Sequence, residues 1–248
     1  MLDSVRCDEI KSAQTRRDFV PESRFGFWFL GTDIWERHVI QYSLDDLGSL
    51  ISEPWEAYPV ILDAGCGQGR SFHLLNAKFH PQRLIGVDAE VHGLVRARQA
   101  ALRYGVQAEL LRGDCSALPL PDACVDLVFC HQTFHHLVHQ EQALAEFYRV
   151  LKPGGLLLFA ESTREYINTW FIYFLFRHPM EVQRSAEEYL DMIRRVGFAF
   201  GERNVLFPYL WWSRTTLRGV LELLHLRRAP PPGQRKETLV YMVGTKPI

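Results

Sequence analysis

Short apolar segments alternate with helical patterns between residues 58 and 160, and this alternation constrains the fold more than any other feature of the sequence. Each apolar segment is rich in aliphatic and β-branched residues. Strands of this kind, separated by helices, are typical of a parallel sheet that is covered on both faces. The sequence therefore predicts a doubly wound α/β domain. The predicted strands are residues 59–63, 83–88, 108–111, 124–129 and 156–160, and the predicted helices include residues 92–104 and 140–151.

Two aromatic segments lie outside this alternation. One precedes it at residues 19–52 and is aromatic and then helical in pattern, and the other follows it at residues 161–184. A further helix is predicted at residues 186–196 and a last strand at residues 238–243. We therefore divide the chain into an N-terminal cap segment, residues 1–54, and one domain, residues 55–248, which carries an aromatic insertion at about residues 162–184.

The composition indicates a globular protein without a strong charge of either sign. Lys and Arg number 28 and Asp and Glu number 29, so the chain lacks the broad cationic field that nucleic-acid binding usually requires. We expect no nucleic-acid partner. The last third is locally basic, and we interpret its cations as scattered over the surface. They are Arg214, Arg218, Arg227, Arg228, Arg235 and Lys236.

Cysteine usage and hydropathy indicate a cytoplasmic protein. The five cysteines include no C-x-x-C pair, so neither a disulfide framework nor a zinc site is predicted. The N-terminal residues Asp3, Arg6 and Asp8 argue against a standard signal peptide. The longest apolar run, residues 170–176, is far shorter than the roughly 18 residues that suggest a membrane span. We expect no stable membrane insertion.

A predicted strand that ends in a carboxylate runs directly into a glycine-rich turn at residues 60–69. Glycine permits a sharp turn and lets a ligand lie against the backbone. Ligands of open parallel sheets bind at the carboxyl ends of the strands, near the point where the strand order reverses. A dinucleotide fingerprint requires a small residue where this chain has Arg70, so a nicotinamide-dependent oxidoreductase is disfavoured.

The glycine turn resembles motif I of the class I, Rossmann-like methyltransferases that use S-adenosylmethionine. The resemblance covers residues 58–161. Within the family, this segment is similar to the branch that includes quinone-biosynthetic and natural-product methyltransferases. It implies a seven-stranded, mostly parallel sheet in the order 3-2-1-4-5-7-6, with the last strand antiparallel. The motifs that carry it are Asp63-x-Gly65-x-Gly67-x-Gly69, Leu118-Pro119-Leu120-Pro121-Asp122, His135-His136-Leu137 and Arg149-Val150-Leu151-Lys152-Pro153-Gly154-Gly155.

The resemblance also implies a site for S-adenosylmethionine, with S-adenosylhomocysteine as the product. Asp88 ends the second strand, where a carboxylate can accept both ribose hydroxyls. Asp114 follows the third strand, where the family's acid accepts from the adenine amine. Each aspartate, taken alone, could instead form a cap or a turn. The implied cofactor residues are Asp63, Gly65, Gly67, Asp88, Ala89, Asp114, Cys115 and His131.

Methyl transfer from a sulfonium is an in-line displacement, so the protein chiefly holds the nucleophile in near-attack geometry and excludes water. His135 and His136 match a pair that some sugar and phenol O-methyltransferases of the family use, one of them as general base. Glu161, at the end of the fifth strand, matches a supporting acid. The pair could instead pack against or cap the following helix. The four histidines at positions 131, 135, 136 and 139 lack a cysteine or carboxylate at matching spacing, so no metal site is predicted.

The aromatic segments fall where the family places a cap and an insertion above the active site. Such a roof favours a flat or apolar acceptor. The same aromatics could instead only pack the cap onto the core, or residues 170–176 could contact a membrane surface, although that run lacks a cationic face. We expect O-methylation of an aromatic, sugar or apolar natural-product-like small molecule, with carbon and nitrogen as open alternatives. A non-catalytic cofactor-binding subunit is the alternative to an enzyme. The oligomeric state stays open, a homodimer included.

Overall fold

The alternating strands and helices form one seven-stranded sheet in the computed structural model, which describes residues 20–52, 57–214 and 216–248. The strands are β1 (Val60–Ala64), β2 (Arg83–Asp88), β3 (Ala108–Arg112), β4 (Val125–His131), β5 (Leu151–Ser162), β6 (Val205–Leu206) and β7 (Leu239–Thr245). Their order in the sheet is β3-β2-β1-β4-β5-β7-β6. The first five pair in parallel, and β7 is antiparallel to both of its neighbours. The predicted class, order and antiparallel strand are therefore confirmed.

Helices cover both faces of this sheet. They are α1 (Arg24–Leu30), α2 (Asp33–Trp35), α3 (Gln41–Ser49), α4 (Phe72–Phe79), α5 (Val91–Tyr104), α6 (Gln140–Val150), α7 (Arg164–Ile167), α8 (Trp170–Leu175), α9 (Ala186–Val196) and α10 (Leu217–Leu223). Buried residues of α3, α4 and α5 pack on one face, and those of α6 and α9 pack on the other. Because successive side chains of a strand point to opposite faces, Leu127 and Phe129 of β4 join the first layer, whereas Val128 and Cys130 join the second.

Local sequence signals set the bounds of α9. Ser185 Oγ accepts a hydrogen bond from the backbone N–H of Glu188, and the Glu188 carboxylate accepts one from the backbone N–H of Ser185. Gly197, with φ of 115°, ends the helix in the left-handed conformation that glycine adopts readily. The helix predicted at residues 186–196 is confirmed.

The start of β5 differs from its prediction. The strand was expected at residues 156–160, after a proline-glycine turn, but it begins at Leu151 and includes Pro153. Val125 of β4 pairs with Leu151, and Leu127 pairs with Leu156, so the register shifts between these two pairs. Gly154, with φ of 80°, lies within the shift. The glycines therefore form an irregularity inside a strand rather than a separate turn.

Three segments outside the sheet line cavities at its carboxyl edge, and α3, the last helix of the first segment, also packs on a face of the sheet. We call them the cap (residues 20–49), the insertion (residues 162–184) and the crossing (residues 207–237), which connects β6 to β7. The cap is helical as predicted, with a π-helical turn at Glu36–Ile40 between α2 and α3. The crossing was not predicted as a separate element. It contains α10 and a loop at residues 229–233.

Some expectations fall on residues outside the described ranges. These are the absence of a signal peptide, the part of the cap segment before residue 20, and the boundary between residues 54 and 55. Among the helices that the structure does describe, none has the length and apolar character that crossing a bilayer requires.

Candidate active site

A cavity of about 170 Å³ lies at the carboxyl ends of β1, β2 and β4. Residues of the cap form one of its walls, including Phe27, Leu30 and Trp35. We call it the cofactor cavity. The structure brings all eight residues of the predicted cofactor site to its lining. They are Asp63, Gly65, Gly67, Asp88, Ala89, Asp114, Cys115 and His131.

The glycine turn has the backbone that its sequence predicts. Gly65 and Gly67 have φ of 75° and 50°, in the left-handed region that disfavours other residues. A Cβ atom on Gly65 would lie 2.0 Å from Cγ2 of Thr133, whereas a Cβ atom on Gly67 would meet nothing within 4 Å. Gly65 is therefore required by packing against the β4 loop. Gly67 leaves open space beside the backbone on the cavity side.

Two acids of the cofactor cavity have raised pKa values because they are removed from water. Burial raises the pKa of Asp63 to about 7, and Ser71 Oγ hydrogen-bonds to its carboxylate. Burial also raises the pKa of Asp88, whose carboxylate accepts the backbone N–H groups of Gly67 and Glu90, both at 2.8 Å. Within the described residues, no lysine or arginine forms an ion pair with either acid. The pair thus fits a ligand that offers hydroxyl and cationic donors, as S-adenosylmethionine does.

Asp114 has a structural role beside its predicted one. Its Oδ1 atom accepts the backbone N–H of Ser116 at 2.7 Å, and Asp114 pairs with Ala117 in an isolated bridge. The alternative interpretation as a turn residue therefore holds for this carboxylate oxygen. The residue nevertheless lines the cofactor cavity, so the structure supports both roles at once.

His131 joins the cap to the sheet. Its Nε2 atom lies 3.1 Å from Ser43 Oγ on α3, and Ser43 in turn hydrogen-bonds to the hydroxyl of Tyr241 on β7. The ring stacks on Phe129 at 5.6 Å and meets Trp35 edge-on at 6.0 Å. Burial lowers the pKa of His131 to about 3, so the imidazole is neutral at physiological pH.

The cap is also tied to the glycine turn through polar side chains. Gln68 Nε2 donates to the backbone carbonyl of Phe27 at 2.5 Å. Arg70 forms ion pairs with Asp33 and Glu36 of the cap, both at 2.9 Å. The residue that breaks a dinucleotide fingerprint therefore anchors the cap in this chain.

A second cavity, of about 290 Å³, lies beside the first and is lined mainly by apolar side chains. We call it the acceptor cavity. The aromatic residues predicted from the cap and the insertion meet there, since Phe176 lies edge-on to Phe25 at 5.8 Å and to Phe29 at 6.1 Å. The crossing contributes Trp211 and Trp212, which the sequence analysis missed. Both end a short aromatic stretch that begins at Phe207, and residue type alone does not show that this stretch reaches the cavity.

The predicted catalytic residues lie at the boundary of the two cavities. Glu161 is fully buried, and its carboxylate accepts the backbone N–H groups of Thr133 and Phe134 at 2.8 and 2.7 Å. Its other oxygen lies 2.6 Å from His135 Nδ1. Burial raises the pKa of Glu161 and lowers the pKa of His135, which favours an uncharged carboxyl group hydrogen-bonded to a neutral imidazole.

His136 differs from His135 in what it faces. His135 lines the acceptor cavity, whereas His136 lines both cavities. Burial, together with the neighbouring His135, lowers the pKa of His136 to about 3. A neutral imidazole at this position can accept a proton from a group bound in the acceptor cavity.

His178 of the insertion completes a group of three imidazoles with His135 and His136. Among the described residues these three form a group that could hold a metal ion, with ligand atoms within 4.8 Å of one another. Tetrahedral zinc sites have ligand atoms roughly 3.4 Å apart, so this spacing is wider at its largest. That the protein binds no metal stays a prediction. The sequence analysis made it for the histidines at positions 131, 135, 136 and 139, whereas the structure groups His178 with His135 and His136.

Gln132 was missed by the sequence analysis. It has φ of 50°, an uncommon value for a residue other than glycine, and it lines both cavities. Its Oε1 atom accepts from Ser162 Oγ at 2.6 Å. Its buried Nε2 atom has no hydrogen-bond partner among the described residues. A strained backbone and an unused donor are typical of functional positions, but neither is visible in a sequence.

Comparison with known proteins agrees with this geometry. Residues 62–159 match the methyltransferase domain family. The central segment is a methyltransferase domain. Its relatives include a probable S-adenosylmethionine-dependent methyltransferase of Mycolicibacterium smegmatis, 36% identical over 42% of this chain and 38% of its own length, and a quinone-related enzyme, a demethylmenaquinone methyltransferase of Thermus thermophilus. The Thermus enzyme is 32% identical over 53% of this chain and 56% of its own length.

Other similar proteins include an enzyme named for a different reaction and a solved structure. An S-adenosyl-L-methionine-dependent Diels-Alderase of Talaromyces variabilis, iccD, is 36% identical over 56% of this chain and 49% of its own length. The crystal structure of a SAM-dependent methyltransferase from Aquifex aeolicus has a TM-score of 0.62 and 18% identity, over 89% of this chain and 97% of that one, which shows the shared fold. The chain spans between 32% and 56% of the length of the curated relatives it matches.

Proposed function

We propose that this chain transfers the methyl group of S-adenosylmethionine to an oxygen atom of a small apolar or aromatic acceptor. One observation carries the proposal: the cofactor cavity, with its paired acids, adjoins an aromatic acceptor cavity, and Gln132 and His136 line both. When bound, the cofactor supplies a methyl group that its sulfonium already activates. The residues of the chain therefore need only to orient the acceptor, exclude water and remove a proton.

The aromatic lining supports an apolar or aromatic acceptor. Phe29 and Phe176 line the acceptor cavity together with His136, and aromatic rings suit a flat ring or an aliphatic chain. The free N–H groups of Gln132 can donate to a polar atom of the acceptor and set its orientation.

His136 is the residue that we assign as general base. It accepts the proton of the acceptor hydroxyl as the oxygen attacks the methyl group. His135 and Glu161 act through it, because Glu161 fixes His135 and the His135 ring lies 4.3 Å from that of His136. We therefore regard His135 and Glu161 as positioning residues.

The test measures methyl transfer itself, because a relative of this domain is a Diels-Alderase and cofactor binding alone does not establish the reaction. The purified chain is incubated with S-adenosylmethionine carrying a trideuterated methyl group and a panel of phenols, catechols and hydroxyquinones. We expect S-adenosylhomocysteine and a product heavier than the acceptor by one labelled methyl group. Tight binding of both adenosyl compounds without turnover on any acceptor would favour the non-catalytic subunit instead.

A further inference from the structure

The insertion presents an exposed aromatic surface beside the acceptor cavity. In α8, only Ile172 is buried, whereas Trp170, Tyr173 and Phe174 are 69%, 59% and 77% exposed. A helix on a globular protein normally turns its apolar side chains inward. The position of α8 is fixed, because Ser23 Oγ of the cap donates to the carbonyl of its last residue, Leu175, at 2.6 Å. An exposed apolar surface held in place in this way indicates contact with another phase or molecule.

This surface continues into the acceptor cavity. Phe25, Ile34, Phe171 and Trp211 each line the cavity and are also exposed. They come from the cap, the insertion and the crossing, so all three segments supply apolar side chains to the same opening. Apolar side chains that line the cavity are thus part of the same exposed aromatic surface.

A basic groove borders the same surface. It is lined at one end by Asn168, Thr169 and Trp170, and elsewhere by five of the six cations of the last third of the chain. These five are Arg214, Arg218, Arg227, Arg235 and Lys236. The interpretation of these cations as scattered is therefore wrong for five of them, because the crossing folds them around one groove.

Some cationic side chains of the groove have no ion-pair partner among the described residues. Arg214 and Arg235 donate to backbone carbonyls of Tyr209 and Phe207 and hold the crossing in shape. Among the described residues, none forms an ion pair with Arg218, Arg227 or Lys236, and all three are exposed. Two acids, Glu165 and Glu222, also line the groove, and Glu222 accepts from the Tyr209 hydroxyl at 2.6 Å. The net charge of the lining is positive.

We propose that α8 and the basic groove form a docking surface for an anionic lipid bilayer, from which a lipophilic acceptor enters the acceptor cavity. Tryptophan and tyrosine favour the interface between lipid and water, and apolar side chains such as Phe174 enter the acyl boundary. Arginine and lysine next to them attract anionic headgroups. A membrane surface was disfavoured from the sequence because residues 170–176 lack a cationic face. The fold supplies that face from the crossing.

The naming of the acceptor as lipophilic rests on the proposed function, but docking does not, so the two are tested separately. The full chain is mixed with vesicles of phosphatidylcholine alone, or of phosphatidylcholine and phosphatidylglycerol in equal amounts, and bound protein is separated by flotation. We expect binding to the anionic vesicles that weakens with salt. The W170S/F174S variant should lose roughly tenfold or more of its affinity. The R218Q/R227Q variant should lose about fivefold for each arginine.

Matched controls come from α5. Leu102 is 77% exposed, as is Phe174, and Arg98 is exposed on the same helix. The variants L102S and R98Q should bind vesicles like the original chain. Calorimetry with S-adenosylhomocysteine reports folding of every variant and tests the cofactor site independently of docking. Failure to bind anionic vesicles overturns the proposal, as does an equal loss in the α5 controls. Loss of a concentration-dependent dimer in W170S/F174S, without any vesicle binding by the original chain, would assign the surface to a second copy instead.

Discussion

The carboxylate of Asp88 has two tasks at the residue scale. It fixes the glycine turn through the backbone N–H of Gly67, and it faces the cofactor cavity. We expect D88A to weaken the binding of S-adenosylhomocysteine by on the order of 2–4 kcal/mol, since charge-assisted hydrogen bonds to the ribose are lost. Isothermal titration calorimetry measures the change. D191A, at an exposed position of α9, is the control, and an affinity unchanged in D88A would place the cofactor elsewhere.

Asp63 makes stability depend on pH. Its pKa rises from 3.8 in the unfolded chain to about 7 in the folded one, because the carboxyl group is buried. The folded state therefore binds this proton more tightly, and the resulting stabilisation is complete below about pH 4 and is lost as the pH rises through 7. In D63N this dependence is absent. Without ligand, the free energy of unfolding of D63N should rise relative to the original chain by on the order of 3–4 kcal/mol between pH 4 and pH 8. Urea titrations at several pH values provide the comparison, and parallel curves would contradict it.

Substitutions of His136 and of His135 should have different effects on the kinetics of methyl transfer. H136Q should reduce kcat by about 10²–10⁴, the usual contribution of a general base, with little change in S-adenosylhomocysteine affinity. His135 lowers the pKa of His136, so H135Q should move the acid limb of the pH–rate profile to higher pH. A residue with only a packing role would leave that limb in place. H225N, at an exposed position with a left-handed backbone, is the control.

At the scale of elements, the sequence predicted those whose bounds depend on local signals. α9 and β2 have their predicted bounds, and the structure adds that α9 begins at a capping box and ends at a glycine. The beginning of β5 was wrong because strand pairing with β4, not the local proline, decides where it starts. The crossing was missed because its polar and basic residues have no periodicity. Its shape depends on distant partners, such as the carbonyl of Phe207 that Arg235 contacts.

A further prediction concerns Phe176, which joins the insertion to the cap. Phe176 touches both Phe25 and Phe29 and closes one side of the acceptor cavity. F176A should raise KM for an apolar acceptor by roughly tenfold, because an aromatic contact in the lining of the cavity is lost, while the affinity for S-adenosylhomocysteine stays the same. Steady-state kinetics with a water-soluble acceptor, in the absence of vesicles, provides the test. F174A removes a phenyl ring from the exposed side of the same insertion and should leave KM unchanged.

At the scale of the whole molecule, the resemblance indicated the site of the cofactor more fully than the site of the acceptor. The cofactor residues lie on three successive strand ends, so one parallel sheet brings Asp63, Asp88 and Asp114 to the same edge. The acceptor cavity is assembled from the cap, the insertion and the crossing, which are far apart in the chain. His178 and Trp212 reach it only through tertiary packing. No local pattern encodes such a meeting.

The anchoring of the cap by Arg70 and Gln68 has a consequence for ligand binding. The cap forms walls of both cavities, and Gln68 and the ion pairs of Arg70 to Asp33 and Glu36 hold that shared wall against the glycine turn. A change at Arg70 therefore alters the surroundings of the cofactor and of the acceptor together, although Arg70 lies beside only the first cavity.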